Sequence, residues 1–213
     1  MKKIILGLVA LSAISMAAQN DSELNSQSSR TMKGTFTNRI GVNYATKGNE
    51  NWDDSKSNSD HKVFDDSFGL NYKLLYNVTN RFRLGGELAY DNSDFSDYVS
   101  ENTIGDDNIG ALMLGVTTEY DFYQTNNLAL YISGSLGAAA SETEAKDLFS
   151  NQKETLKSNL YAKLGLGARF NNGIGLEAGS RAISYKYDLS GTTNDYSDKM
   201  YRQQFYLEAN YTF

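Results

Sequence analysis

A single histidine occurs in the 213 residues, His61, and it directly follows Ser59 and Asp60. Hydroxyl, carboxylate and imidazole are the groups of a nucleophilic triad, which requires them to converge within hydrogen-bond reach. Consecutive residues in a polar loop rarely converge, so this run reads as solvated loop rather than as a catalytic centre. Without cysteine the chain has neither disulfides nor thiolate metal ligands. Carboxylates crowd the polar segments, at Asp53, Asp54, Asp60, Asp94, Asp97, Asp106, Asp107, Glu142, Glu144, Asp195 and Asp198. Oxygen-rich clusters suit Ca²⁺, but none of these has the spacing of a dedicated site. No metal and no other cofactor is expected.

A second set of charges has a more regular setting. Arg39, Lys73, Arg83, Glu87, Glu119, Lys163, Arg169, Glu177, Arg181, Arg202 and Glu208 all lie in runs that alternate between apolar and polar residues. Strand side chains point to opposite faces in turn, and each of these charges falls on the face opposite its run's large apolar residues. Asp66 is the exception, beside a loop. Both signs are present, so charges facing one shared interior would form an ion-pair network. Isolated, each would cost several kcal/mol, on the order of a buried unpaired charge.

Eight such runs are expected as strands: near residues 35–45, 63–76, 81–90, 108–122, 128–140, 156–170, 174–187 and 200–213. Tight turns at 77–80, 124–127 and 171–173 alternate with long polar loops at 48–62, 91–107, 141–155 and 188–199. The loop at 141–155 has room for a short helix. The parity of the seventh run shifts near Ile183, which predicts a bulge or an inward-facing tip. Runs of about ten or more residues suit strands that cross a bilayer at a tilt. Soluble sandwiches use about five or six residues per strand. An all-β, eight-stranded antiparallel up-and-down transmembrane barrel is therefore expected, with long extracellular loops and short periplasmic turns. On its lipid side each midplane Lys or Arg would cost roughly 2 to 4 kcal/mol, which forces the charges inward.

Aromatic residues collect at the strand ends. Tyr76, Phe82, Tyr120, Phe122, Phe170, Tyr211 and Phe213 mark the short-turn rim; Tyr44, Phe64, Tyr90, Tyr187 and Tyr201 mark the other. Two such girdles are expected at the membrane interfaces. Inward glycines at Gly41, Gly69, Gly85, Gly165 and Gly179 would leave space for long charged side chains. Proline is absent, as suits an uninterrupted sheet.

Residues 1–18 read as a secretory signal peptide: Lys2 and Lys3, then an apolar run, then small residues with cleavage after Ala17 or Ala18. Residues 19–33 read as a disordered periplasmic lead-in, and 34–213 as the barrel. The formal charge is −6, and −8 once Lys2 and Lys3 leave with the leader. An acidic chain argues against a nucleic-acid partner.

With these features together, the chain resembles the small outer-membrane β-barrel proteins of Gram-negative bacteria: OmpA-like transmembrane domains, the OmpX/Ail type and the opacity proteins. The resemblance covers about residues 35–213, and the terminal Tyr211-Thr212-Phe213 resembles the signal read by the barrel-insertion machinery. It implies a monomer among outer-membrane lipid and lipopolysaccharide, whose phosphates divalent ions would bridge to the acidic loops. It also implies an envelope structural and surface-exposed protein whose loops mediate adhesion or host-factor binding. Two alternatives stand beside it. One is a small-solute pore, although eight strands leave little channel once side chains fill the interior. The other is a lipid A-modifying enzyme using His61, since such enzymes of similar size place His and Ser at the outer rim.

Overall fold

The computed structural model describes residues 33–52, 63–96, 103–104, 108–147, 153–190 and 196–213. Among these described residues there are eleven strands and no helix. In chain order they are β1 Phe36–Ala45, β2 Asn49–Trp52, β3 Phe64–Asn77, β4 Phe82–Phe95, β5 Thr103–Ile104 and β6 Asn108–Gln124. There follow β7 Leu128–Ala140, β8 Glu142–Asp147, β9 Lys153–Phe170, β10 Ile174–Ser190 and β11 Tyr196–Thr212.

Eight of these are staves of one closed antiparallel barrel, in the order β1, β3, β4, β6, β7, β9, β10, β11. The seam between β11 and β1 runs from Arg39 opposite Thr212 to Ala45 opposite Tyr206. Closure leaves no unpaired edge, the condition a sheet must meet to sit in hydrocarbon. The three remaining strands are short: β2 pairs with β11, β8 with β9, and β5 with β8.

The alternation of residue types sets which way each side chain faces. On β6, Leu112, Leu114, Val116 and Tyr120 are between 45% and 65% exposed, while Thr117, Glu119 and Asp121 are fully buried. The same inversion holds on the other staves, with Leu70, Leu88, Leu136, Leu164, Leu176 and Leu207 all outside. In water this arrangement would expose the apolar face and bury the charges. Against acyl chains it is the stable one.

At one end the staves are joined by tight turns. Thr79 Oγ1 accepts from the amides of Arg81 and Phe82, and Thr125 Oγ1 from that of Leu128. Gly173 takes a φ of 84°, a left-handed conformation that favours glycine. Asn38 and Phe213 exchange backbone hydrogen bonds at this same end.

Four expectations need correction or refinement. Phe64 does not join the outer aromatic girdle; it is fully buried in the lumen. The register of β3 against β4 shifts between Phe64 and Ser67, and this irregularity reverses the parity of everything beyond it. Tyr211 keeps outward parity, between inward Asn210 and Thr212, yet is covered: its ring lies by Gly173 and stacks 6.2 Å from Phe213. Of the loop at 141–155 that had room for a helix, 142–147 and 153–155 are strand instead, β8 pairing with β9, and 148–152 lie outside the described residues. Near Ile183 the β9–β10 register shifts, and Ile183 and Tyr185 both face the lumen. The proposed leader, His61 with Ser59 and Asp60, and Asp53, Asp54, Asp97, Asp106, Asp107 and Asp195 lie outside the described residues.

Candidate functional site

The barrel interior is where the chemistry-bearing side chains meet, and it is tiered. Nearest the tight turns, Glu119 on β6 is the hub. Its Oε2 accepts from Arg39 Nη2 at 2.9 Å, and its Oε1 bonds Arg39 Nη1. Arg83 Nη1 lies 3.3 Å and Arg169 Nη1 3.9 Å from the same Oε2. Asp121, two residues along the strand, takes Arg83 and, at 2.9 Å, Arg169 Nη2. Tyr131 covers the cluster with its ring, 5.1 Å from the Arg39 guanidinium and 5.8 Å from that of Arg169.

The middle tier exchanges arginine for lysine. Lys163 Nζ sits 3.1 Å from both Glu87 Oε1 and Glu208 Oε2. Lys73 Nζ is 3.5 Å from Glu177 Oε2 and 3.6 Å from Glu208 Oε1. Neutral donors complete the carboxylates: Asn71 Nδ2 donates to Glu208 at 2.7 Å and Tyr206 hydroxyl to Glu177 at 2.6 Å. Together the two tiers hold five cations and five carboxylates, so the burial of charge is balanced. Two glycines make room for it. A Cβ on Gly165 would stand 2.8 Å from both Glu177 Oε1 and Ser133 Oγ, and one on Gly41 2.8 Å from Asn71 Oδ1.

Above them Arg181 on β10 reaches Asp91 on β4, four staves away and thus on the far wall. It also donates to Gln204 Oε1 at 3.1 Å and to Ser67 Oγ. Arg202 donates to Ser93 Oγ at 2.9 Å and to the carbonyls of Lys47 and Asp65, and lies 4.5 Å over the Phe64 ring. From here outward the lumen turns apolar. Phe64, Ile109, Met113, Leu156, Ile183, Tyr185 and Met200 form one buried cluster, with Val63 and Phe95 against it. Phe64 stacks 5.5 Å from Phe95 and meets Tyr185 at 5.0 Å.

The geometry therefore places Arg39, Arg83, Glu119 and Arg169 in one cluster, and Lys73, Glu87, Lys163, Glu177 and Glu208 in a second. Arg181 and Arg202 stand apart above both. Asp91 and Asp121 belong to the interior although sequence reasoning left them out of the charge set. Parity alone could have found them, since Asp91 continues Glu87 and Ala89, and Asp121 continues Glu119. Within the apolar cluster, Ile109, Met113, Ile183, Tyr185 and Met200 keep the inward parity of their strands and are reached by the same count, whereas Phe64 and Leu156 lie beyond register shifts that reverse it. Among the described residues no three acidic or histidine side chains form a group able to hold a metal ion.

Comparison with known proteins agrees with the barrel fold. The profile of the outer membrane protein beta-barrel domain matches residues 6–213. No curated protein sequence matches. Among solved structures, the chain is similar to the outer membrane protein OprG of Pseudomonas aeruginosa, at 16% identity and TM-score 0.50, covering 86% of this chain and 98% of that one. It is also similar to Ail, the attachment invasion locus protein of Yersinia pestis, at 19% identity and TM-score 0.48, covering 85% and 100%. The outer membrane enzyme PagL matches at 15% identity and TM-score 0.41, covering 80% and 97%.

Proposed function

The chain belongs to the outer membrane protein beta-barrel domain family, and from that membership we propose that it is an envelope structural and surface-exposed protein with a plugged barrel. Its specific recognition, adhesion or host-factor binding, would then reside in the segments beyond the outer rim. The observation that carries this reading is the packing of the lumen. Charged side chains bridge the walls in the lower tiers, and Phe64, Met113, Ile183 and Met200 close the space above them. A filled eight-stave barrel offers no aqueous path, so the barrel serves as anchor and scaffold. The outer membrane lipid and lipopolysaccharide around it are its immediate surroundings.

Planar-bilayer recording tests the plug. The purified chain should give no steady openings; stable ion-sized conductance would favour a small-solute pore instead. Removing residues 53–62, 97–102, 105–107, 148–152 and 191–195 one segment at a time, then measuring cell binding, tests adhesion. A set of deletions that all bind like the intact chain would leave only the structural role. His61→Ala with lipid A acylation as readout tests the enzyme alternative, and an unchanged acylation pattern is expected.

A further inference from the structure

Charge on the lipid-facing wall is unevenly placed, and the ladder registers show where it collects. Lys186 on β10 stands directly opposite Lys157 on β9 and directly opposite Lys199 on β11. All three are exposed, whereas their strand neighbours Leu156, Tyr185 and Met200 are buried in the lumen. The lysines therefore share the outward face at one height. Like charges directly opposite in an antiparallel ladder repel, so three in a row suit an anion. Asp188 offsets part of the charge, 3.1 Å from Lys186 Nζ, and Glu142 on β8 is opposite Lys157 in register. Lys157 and Lys199 also have partners of their own. Alignment, not lack of a partner, sets the three apart. On the opposite wall at comparable height the outward residues are Asp66, Phe68, Asn92, Asp94, Asn108 and Gly110, with no lysine or arginine among them.

Height and the surface below point to a lipid. Lys186 is twelve residues along β10 from Ile174 at the tight turn. At about 3.3 Å per residue and a tilt of roughly 40°, that is roughly 30 Å, just above an apolar band about 25 Å tall. The row thus stands at the headgroup level of the outer leaflet. Directly beneath it β10 turns only small residues outward: Ser184, Ala182, Ser180 and Ala178. Ser180 lies between Leu164 and Phe205, and Ala178 between Leu166 and Leu207. The wall is consequently recessed there, into an open apolar groove of about 600 Å³.

We propose that the β9–β10–β11 face binds a phosphorylated, acylated glycolipid of the outer leaflet, lipopolysaccharide in its lipid A part. The phosphate rests on Lys157, Lys186 and Lys199, and one acyl chain lies in the groove below. The site rests on the outer-membrane placement and adds a specific lipid contact to it. Native mass spectrometry of the detergent-folded full chain with bisphosphorylated lipid A tests it, folding being scored separately by heat-modifiable gel migration. Lys186→Gln should weaken binding about fivefold, and the triple Lys→Gln variant roughly a hundredfold. Dephosphorylated lipid A should bind the unaltered chain as weakly as the triple variant binds the phosphorylated one. Ala178→Leu with Ser180→Leu should weaken lipid A but leave binding of its deacylated bisphosphorylated sugar unchanged. Asn92→Gln with Asn108→Gln on the far wall should change nothing. Equal binding by the triple variant, or indifference to the phosphates, would overturn the site. An unaltered chain that stays folded without detergent would instead refute the membrane placement.

Discussion

In the half of the lumen nearest the tight turns, Glu119 meets three arginines; in the outer half, Phe64 meets Phe95 and Tyr185, with the Arg202 guanidinium over its ring. Both halves are packed, but by different physics. The lower half is held by pairing: removing any one partner leaves a desolvated charge, so its members are strongly interdependent. The outer half is held by burial and dispersion, and each member contributes roughly in proportion to its apolar surface. A barrel closed by only one device would fail at one site. Two dissimilar devices in series make the closure insensitive to any single loss.

This contrast can be broken in graded ways, measured by urea unfolding in lipid vesicles. The largest effect should come from Glu119→Ala, which leaves Arg39 without a carboxylate partner and Arg83 and Arg169 sharing Asp121; about 3 to 5 kcal/mol is expected. Phe64→Ala should cost roughly 3 kcal/mol, the low end for a buried phenylalanine because the cluster sits near the barrel mouth. Arg181→Met alone should cost about 3 kcal/mol, while Arg181→Met with Asp91→Leu should recover more than half of that, since both charges then leave together. Lys47→Ala, whose partner Asp65 is 2.7 Å away but whose side chain is 59% exposed, should change stability by less than about 1 kcal/mol. A fifth test concerns sealing. Glu119→Ala and Phe64→Ala should each stay silent in planar bilayers, and only the combined variant should conduct. If either single variant conducts, the two halves do not act in series.

Much of the architecture was legible in the chain. Leu70, Tyr72 and Leu74 alternate with Gly69, Asn71 and Lys73, and a half-apolar strand accounts for that spacing. The inward charges were legible for the same reason. Phe64 was misplaced because parity counting assumes an unbroken ladder, and one register shift reverses it. Asp91 reads as loop in the sequence because Asp91-Asn92-Ser93-Asp94 is as polar as a loop, although β4 continues through it to Phe95. Residues 142–147 likewise form a strand although their sequence has no apolar alternation, through backbone pairing with β9 and, at Lys146 and Asp147, with β5.

Alternation, strand length and the shortage of charge on one face determined, from the amino-acid order by itself, that this chain wraps into a barrel with a polar inside and an apolar outside. These are local properties, set by the two-residue period of extended backbone. Which acid meets which base was decided only by closure of the sheet, because Arg39 and Glu119, or Arg181 and Asp91, are far apart in the chain and meet across the lumen. The alignment of Lys157, Lys186 and Lys199 was decided in the same way, since it depends on the registers of three strands, which no single stretch of residues contains.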